Sequence, residues 1–212
     1  IATMVEFAHG RDVIFEGDEA SHVYFIASGM ARISRCTASG RRQVLAFMLP
    51  GDMFGIPEQG LNANSARAMG DVTLYQIPWP QLDALIRQES GLQNSLLMRM
   101  TFELRQAQKC IVVLGQQNVS QRLATYLLDL MEHEDFYDAR KKQLSLPLSR
   151  FDLGDYLGTS PETVVRVLAR LEKDGLICRL SSPRSVSPSA RPIVRASSRA
   201  ASSSASPSPA RS

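Results

Sequence analysis

The residues of this chain whose types and spacing best suit specific recognition are Glu162 and Arg166, four positions apart. An arginine can donate two parallel hydrogen bonds to guanine, and a glutamate can accept one from the amino group of cytosine. Residues four apart share one face of an α-helix, so a single helix could present both side chains to base pairs. The alternative is a surface ion pair on an ordinary helix, which contributes about 0.2–0.5 kcal/mol.

Segment 148–177 predicts two short helices joined by a tight turn. Ser149 can cap the start of the first helix, and Gly158 can end that helix and turn the chain. Ser160 and Pro161 form a strong start for the second helix, because serine caps helices and proline is favoured at their first position. This arrangement is typical of a helix-turn-helix, whose second helix enters the major groove of DNA. An ordinary two-helix hairpin is the alternative.

The predicted second helix has one apolar side and one polar side. Its apolar residues recur at helical spacing and are Val164, Val167, Leu168 and Leu171. Burial of this stripe leaves Glu162 and Arg166 facing outward, where they could reach DNA.

The net charge of +3 is unevenly distributed along the chain. Residues 181–212 contain five arginines and no acid, so the +3 of the whole chain less the +5 of this tail leaves −2 for residues 1–180. Any DNA contact must therefore be local to the helix-turn-helix. The tail is otherwise mostly Ser, Ala and Pro, and we expect it to be disordered because it can bury little apolar surface.

The composition changes near Leu180, where a winged helix would form its β-hairpin. No alternating strand pattern follows, so we expect no strand pair after Ile177 and a truncated or altered wing. A shifted reading frame would explain a tail rich in Ser, Pro, Ala and Arg. A genuine basic tail that binds phosphates without sequence preference is the alternative.

The first 80 residues predict an antiparallel β-sandwich or barrel. Glycines in turn clusters recur every 11 or 12 residues, at Gly17, Gly29, Gly40 and Gly51. Short β-rich segments lie before, between and after these turns, and short strands at such spacing indicate this architecture. The predicted strands include 13–15, 23–26, 31–33, 44–48, 65–68 and 74–77.

Helices follow the predicted strands, and one of them carries a heptad pattern. Apolar residues alternate in steps of three and four at Leu97, Met100, Leu104, Ala107, Ile111 and Leu114. Such a seam favours a dimerisation helix, although a buried connector helix within a monomer is the alternative. Gly115 is expected to end this helix, and an amphipathic helix is expected over Val119–Met131.

Other functional classes find little support in the residues. The three histidines are scattered, and no catalytic or phosphate-loop motif occurs, so we expect no enzyme. Three cysteines far apart in sequence suit a reducing cytoplasm. No apolar run reaches the roughly 18 residues of a membrane span, and no signal peptide precedes the first strand. The chain begins at Ile1 rather than Met, which indicates that an N-terminal piece is missing.

A β-rich domain, a heptad helix and a C-terminal helix-turn-helix, in this order, resemble the CRP/FNR family of bacterial transcription regulators. The matching stretches are FEGDEASHVYFIASGMARI, GRRQVLAFMLPGDMFG and LSRFDLGDYLGTSPETVVRVLARLEKDGLI. The resemblance covers residues 10–178, and the second stretch is most similar to the FixK-like and FNR-like branch. It implies an α+β fold with an N-terminal antiparallel β-barrel of the cyclic-nucleotide-binding jelly-roll type, a long dimerisation helix and a C-terminal winged helix-turn-helix.

The resemblance also allows the effector to be considered residue by residue. Cyclic-nucleotide binders of the family use a Gly-Glu pair and an Arg-Ser pair, where this chain has Gly55-Ile56 and Asn64-Ser65. Without the acid and the arginine we expect no cyclic AMP binding. The FNR iron–sulfur cluster requires four thiolates, which three scattered cysteines cannot supply, and Gln76 stands at the late ligand position. We therefore expect no cofactor and no metal, as in a FixK-like regulator controlled by its amount or by modification.

The functional implication is a sequence-specific, FixK-like transcription regulator that activates or represses oxygen-responsive, nitrogen-fixation or denitrification genes. Its implied partners are double-stranded DNA with a palindromic site, a second copy of the chain in a homodimer, and RNA polymerase, with no membrane. The alternative is a β-barrel ligand-binding or dimerisation protein whose DNA binding is defective because its wing is missing.

The resemblance extends to the residues that would contact DNA. FNR-like proteins place serine before the final arginine of the recognition helix, whereas this chain has Val165, which could touch a thymine methyl. The expected base contacts are Glu162, Arg166 and Val165, and the expected phosphate contacts are Thr163, Ser160, Thr159, Ser149 and Lys173. The expected domains are 1–80, 81–115 for the connector and dimerisation helix, 116–180 for DNA binding, and 181–212 for the tail.

Overall fold

The computed structural model of the protein describes residues 1–146, 148–180 and 193–196. The chain divides into a first compact unit, Ile1–Gln116, and a second that begins at Gln117. In the described part of the chain, no helix is both long enough and apolar enough to cross a membrane.

Eight antiparallel strands form two four-stranded sheets in the first unit. The strands are β1 (Thr3–Phe7), β2 (Asp12–Ile14), β3 (His22–Ser28), β4 (Ala31–Cys36), β5 (Arg42–Met48), β6 (Met53–Phe54), β7 (Ser65–Ala68) and β8 (Val72–Pro78). One sheet has the order β1-β8-β3-β6 and the other β2-β7-β4-β5. The predicted antiparallel β architecture is confirmed, with β1 and β6 as strands that the sequence did not predict.

The two sheets enclose one apolar core. Leu74 and Val72 contribute from the first sheet and Ile33, Ala66 and Ala68 from the second, and all five are buried. Because side chains alternate between the two faces of a strand, the residues between these core positions face away from the core. The apolar positions therefore fix which face of each sheet turns inward.

Two helices cover the other face of the first sheet. They are α1 (Trp79–Gln88) and α2 (Ser90–Gln116). A second apolar cluster forms there around buried Val23, Met53 and Leu82. Gly115 does not end α2 as expected, since the helix continues to Gln116.

The second unit contains three helices and a small sheet. The helices are α3 (Val119–Met131), α4 (Arg150–Leu157) and α5 (Pro161–Lys173), which the sequence predicts closely. The strands are β9 (Tyr137–Asp138), β10 (Gln143–Ser145), β11 (Ile177–Leu180) and β12 (Ile193–Ala196), in the order β11-β12-β10-β9.

The expectation that no strand pair follows Ile177 is wrong. Strand β11 pairs with β12 in antiparallel register, with Ile177 opposite Ala196 and Leu180 opposite Ile193. Strand β12 also pairs with β10, which lies about 50 residues earlier in the chain. The expected disorder of the tail is therefore wrong for Ile193–Ala196, and the rest of that prediction, 181–192 and 197–212, lies outside the described residues. The alternative function, a protein with defective DNA binding, assumed that the wing is missing, and the pairing of β11 with β12 removes that assumption.

Candidate nucleic-acid interface

Helix α5 begins at a side-chain cap and buries one side completely. The Ser160 hydroxyl accepts a hydrogen bond from the Thr163 backbone N–H at 3.2 Å, and Pro161 occupies the first turn. Glu162 adds a negative charge in that turn, where the helix dipole favours it. The buried residues are those of the predicted stripe, Val164, Val167, Leu168 and Leu171.

The opposite side of α5 is exposed and mostly basic. Glu162, Val165 and Arg166 are all exposed, with Val165 at 38%. Arg170 and Lys173 follow on the same side in the last turn. The three predicted base contacts therefore share one accessible surface with two further cations.

Arg166 is held along its own helix by a neighbouring hydroxyl. Its terminal nitrogen donates to Thr163 Oγ1 at 3.1 Å. In the described part of the chain, no ion pair joins Arg166 to Glu162, so the alternative of a simple surface pair does not describe this site. The bond to Thr163 limits the rotamers of Arg166, which reduces the conformational entropy that binding would cost.

A close approach of backbone to backbone fixes the turn between α4 and α5. Gly158 adopts a left-handed conformation with φ +64°, which ends α4. The Thr159 N–H then donates to the Gly154 carbonyl at 2.9 Å. A Cβ added at Gly154 would lie only 2.9 Å from the Thr159 carbonyl oxygen, so only glycine fits without a shift. This contact sets where α5 begins relative to α4.

Ser149 acts as a cap in this structure. Its hydroxyl accepts from the Asp152 backbone N–H at 3.1 Å and donates to Asp152 Oδ2 at 2.6 Å. The Asp152 side chain reaches back to the Ser149 N–H at 3.3 Å, which completes a capping box. Because the single hydroxyl proton is already donated to Asp152, a phosphate contact by Ser149 would require this cap to rearrange. That contact stays a prediction, as do those of Thr159, Thr163 and Ser160.

Sequence reasoning missed Arg122, which supports the helix-turn-helix from α3. Its guanidinium donates to the Leu157 carbonyl and to the Gln117 carbonyl, each at 2.9 Å. Leu157 is the last residue of α4, so the cation lies where that helix presents unpaired carbonyls and a negative dipole end. The sequence did contain one signal for this role. A positive charge such as Arg122 near the start of α3 is unfavourable with the dipole of that helix, which suggests that the guanidinium binds acceptors outside it.

The predicted dimerisation residues on α2 do not all face the same way. Leu97, Leu104 and Ile111 are 64%, 60% and 70% exposed, and Ala107 is exposed as well. Leu114 is half-buried, while Met100 packs against the cluster of Val23, Met53 and Leu82. Three further apolar residues of α2 are also exposed, Met98, Phe102 and Val112.

The positions that distinguish effector classes have structural roles of their own. Ser65 Oγ accepts from the Glu16 N–H at 3.0 Å, and Gln76 Nε2 donates to the Tyr24 hydroxyl at 3.4 Å. Burial raises the pKa of Tyr24, partly offset by the bond from Gln76. Within the described ranges, no group of three His, Cys, Asp or Glu side chains could hold a metal ion.

Two family models match the chain, one in each unit. Residues 4–89 match the cyclic nucleotide-binding domain, and residues 121–186 match the Crp-like helix-turn-helix domain. The chain is thus a transcription regulator with a DNA-binding helix-turn-helix domain.

Similar proteins place this regulator in a family. The nitrogen fixation regulation protein FixK of Azorhizobium caulinodans is 33% identical over 87% of this chain and 75% of its own length. The transcriptional activator protein FnrA of Stutzerimonas stutzeri is 30% identical over 79% of this chain and 70% of its own length. The solved structure of FixK2 from Bradyrhizobium japonicum has a TM-score of 0.81 and 28% identity, covering 99% of this chain and 100% of that one.

The chain belongs to the CRP/FNR family of transcription regulators. Regulators of this family bind DNA and act as dimers. The relatives are regulators rather than enzymes.

Proposed function

We propose that this regulator reads a palindromic DNA site as a homodimer, with Glu162, Val165 and Arg166 of each copy contacting bases. The observation that carries the proposal is the exposed side of α5, which presents these residues opposite a fully buried stripe. A carboxylate, a methyl-bearing side chain and a guanidinium match cytosine, thymine and guanine in the major groove.

Phosphate contacts surround these base contacts in the proposed complex. Lys173 and Arg170 lie towards the C-terminal end of α5, while Thr159, Ser160 and Thr163 lie near its start. Cations and hydroxyls at such positions orient a helix in the groove without selecting a sequence. Ser149, at the start of α4, would be a further phosphate contact.

The homodimer would form through the exposed apolar strip of α2. A strip that contains Leu97, Leu104 and Ile111 is unfavourable in water and is buried when a second copy covers it. A two-fold dimer places two recognition helices on half-sites about one turn of DNA apart, which requires a palindromic sequence.

The genes controlled would be those of nitrogen fixation or of the response to low oxygen. This inference rests on the similarity to proteins named as nitrogen fixation and anaerobic regulators. The resemblance to proteins named as activators supports contact with RNA polymerase, in the cytoplasm where bacterial DNA lies. Transcription from a nitrogen-fixation promoter that carries a palindromic site, measured with purified RNA polymerase and this protein, tests the target genes and the contact with polymerase together. Transcription that the protein leaves unchanged would contradict the activator role.

Arg166→Ala tests base reading. We expect a loss of about 1–3 kcal/mol per half-site and a relaxed preference at one base pair, because a bidentate contact to guanine disappears. Lys173→Ala is the control, since loss of a phosphate contact weakens all sequences alike and lowers the salt slope by roughly one unit. Fluorescence anisotropy on sites with single base changes measures both. A uniform loss for Arg166→Ala would make this residue a positioning contact rather than a base reader.

Leu104→Glu tests the dimer. A charge in the centre of the exposed strip should halve the mass measured by light scattering, because burying an unpaired carboxylate is unfavourable. Gln106→Glu is the matched control, because Gln106 is exposed on the same helix but lies two positions from Leu104, on the opposite side from the strip. An unchanged mass for Leu104→Glu would contradict the assignment of the strip.

A further inference from the structure

Helix α2 rests on the first sheet through one short row of apolar side chains. Leu92, Leu96 and Met100 pack against the second apolar cluster of the first unit, and all three lie in the first half of the helix. Large apolar side chains also lie on both flanks of this row, Leu104 on one and Phe102 on the other, each roughly 100° away around the helix axis. Because apolar burial is not directional, it would tolerate a roll of the helix towards either flank. A contact of another kind is therefore needed to fix the rotation of α2 about its own axis.

Arg99 supplies a directional contact beside this row. Its Nη2 donates to Asp52 Oδ1 in the turn before β6, and its Nε donates to Glu103 Oε1 at 3.1 Å, one turn further along α2. The guanidinium also lies over the ring of Phe102, at 5.5 Å from the ring centroid. Because a guanidinium is planar and its donors have fixed directions, these contacts can be made together at only one rotation of the helix.

The carboxylate of Asp52 is itself held in place, so the contact has a rigid end on the sheet. Its Oδ2 accepts from the Leu49 N–H at 2.8 Å. The backbone of this turn is fixed to β3, since the Asp52 carbonyl accepts from the Ile26 N–H at 3.0 Å and the Gly51 N–H donates to the Ile26 carbonyl at 2.9 Å. The side chains of Arg99 and Asp52 are 29% and 23% exposed, so salt screens this pair less than a pair on the open surface.

We propose that Arg99 is the positioning residue that sets the rotation of α2 and thereby selects its exposed apolar strip as the surface offered to a second copy. This inference rests on the proposed homodimer and names the residue on which the geometry of that dimer depends. Met98 and Phe102 are exposed on a different side of α2, so two seams would compete if the rotation were not fixed. A lysine at this position would keep the charge but could not donate in two fixed directions.

The dissociation constant of the dimer tests this role in the full chain. Arg99→Met keeps an apolar stem of similar length but removes the donors, so the dissociation constant should rise about tenfold, as for one lost charge-assisted hydrogen bond. Arg99→Lys should weaken the dimer nearly as much, because one ammonium cannot replace both directed bonds. Arg105→Met, at an exposed arginine of the same helix, is the matched control and should leave the dissociation constant unchanged. Sedimentation equilibrium measures all three variants.

Cross-linking between copies reports the rotation itself, which a simple loss of stability would not change. In a two-fold dimer with parallel helices, equivalent residues of the two copies approach each other only along the seam. Ala107 lies on the predicted seam, and Val112 lies about 140° away around the helix. Oxidation should therefore join two copies of Ala107→Cys faster than two copies of Val112→Cys, and adding Arg99→Met should make the two rates similar. The unmodified protein gives the background rate from its three natural cysteines.

Asp52→Asn answers the same question if Arg99→Met does not fold. Its amide oxygen can still accept from the Leu49 N–H, but the charge that attracts the guanidinium is gone, so it should reproduce both effects of Arg99→Met. A dimer of Arg99→Met as tight as that of the unmodified protein, or a weaker dimer with an unchanged cross-linking pattern, would overturn the positioning role alone. A monomeric unmodified protein would instead contradict the proposed homodimer, and this inference with it.

Discussion

Gly154→Ala separates local helix preference from the packing of the helix-turn-helix. Gly154 lies in the interior of α4, where alanine normally stabilises a helix by about 1 kcal/mol. The new Cβ, however, would lie 2.9 Å from the Thr159 carbonyl oxygen and 3.3 Å from the Pro161 nitrogen. Both atoms belong to the backbone of the turn, so neither can move aside as a flexible side chain would.

The packing cost should exceed the helix gain. Inserting a methyl group into a tightly packed site costs about 1–3 kcal/mol, which leaves a net loss of up to about 2 kcal/mol. For a domain of this size, the melting temperature should fall by roughly 5–10 °C. Because Thr159 precedes the cap of α5, the recognition helix should also shift, and affinity should fall for all DNA sequences together.

Gly115→Ala is the matched comparison. It places the same methyl on a helix where no atom lies within 4 Å of an added Cβ, so stability should stay unchanged or rise by a few tenths of a kcal/mol. Thermal unfolding followed by circular dichroism, with DNA anisotropy on the same samples, measures both variants. If Gly154→Ala melts at or above the temperature of the unmodified protein, the turn does not pack as described.

Two other substitutions test side-chain contacts. Arg122→Met should destabilise the second unit by about 2 kcal/mol in urea unfolding, because the Leu157 carbonyl at the end of α4 loses a charged donor. The control is Arg170→Met at an exposed arginine, which should change stability by less than about 0.5 kcal/mol. Equal losses of stability in the two variants would contradict the role of Arg122. Hydrogen bonds from Arg67 lower the pKa of Asp12 from its ordinary 3.8, so this pair stabilises the protein above that pH and loses its contribution as the pH falls through the lower value in the folded protein. Asp12→Asn should therefore lower stability by about 1 kcal/mol at neutral pH, a modest loss because the ion pair is partly exposed. The urea midpoints of the variant and of the unmodified protein should converge as the pH falls. A difference between these midpoints that does not depend on pH would refute the role of the pair.

Local signals made the helix-turn-helix the most predictable part of the chain. Caps, glycine conformation and apolar spacing act within a few residues, so Ser149 and Gly158 suffice to bound α4, and Ser160 suffices to mark the start of α5. Strand β7 was likewise predicted at its observed bounds, Ser65–Ala68. In these elements, the local preference of the residues and the tertiary fold agree.

Contacts between distant residues explain what the sequence did not predict. Strand β12 is four residues long within a segment rich in Ser, Pro and Arg, and its pairing with β10 is non-local. Arg122 donates to a carbonyl 35 residues further along the chain. The sequence predicts a connector within 81–115 but not the start of α1 at Trp79, because Pro78 and Pro80 indicate only the end of the strand pattern. Proline in the first turn, however, also favours a helix start.

The heptad pattern on α2 shows a different limit. Steps of three and four residues place Leu97, Met100 and Leu104 on one seam, yet a long helix against a sheet needs apolar residues on more than one side. Met100 belongs to the side that packs inward, and the exposed strip runs through Leu97, Leu104 and Ile111 instead. Periodicity alone does not reveal which neighbour each apolar side meets.

The position of β12 within its sheet has a consequence for synthesis on the ribosome. Every strand and helix of the first unit lies within Ile1–Gln116, so that unit can complete its fold while later residues are still being added. In the second unit, β12 lies between β11 and β10, and it is the last of these strands to be made. Until Ala196 has left the exit tunnel, β11 has no neighbouring strand and β10 pairs with β9 alone. Nascent chains that already contain the whole helix-turn-helix would thus lack the complete four-stranded sheet. A chain that ends before Ile193 would never form that sheet.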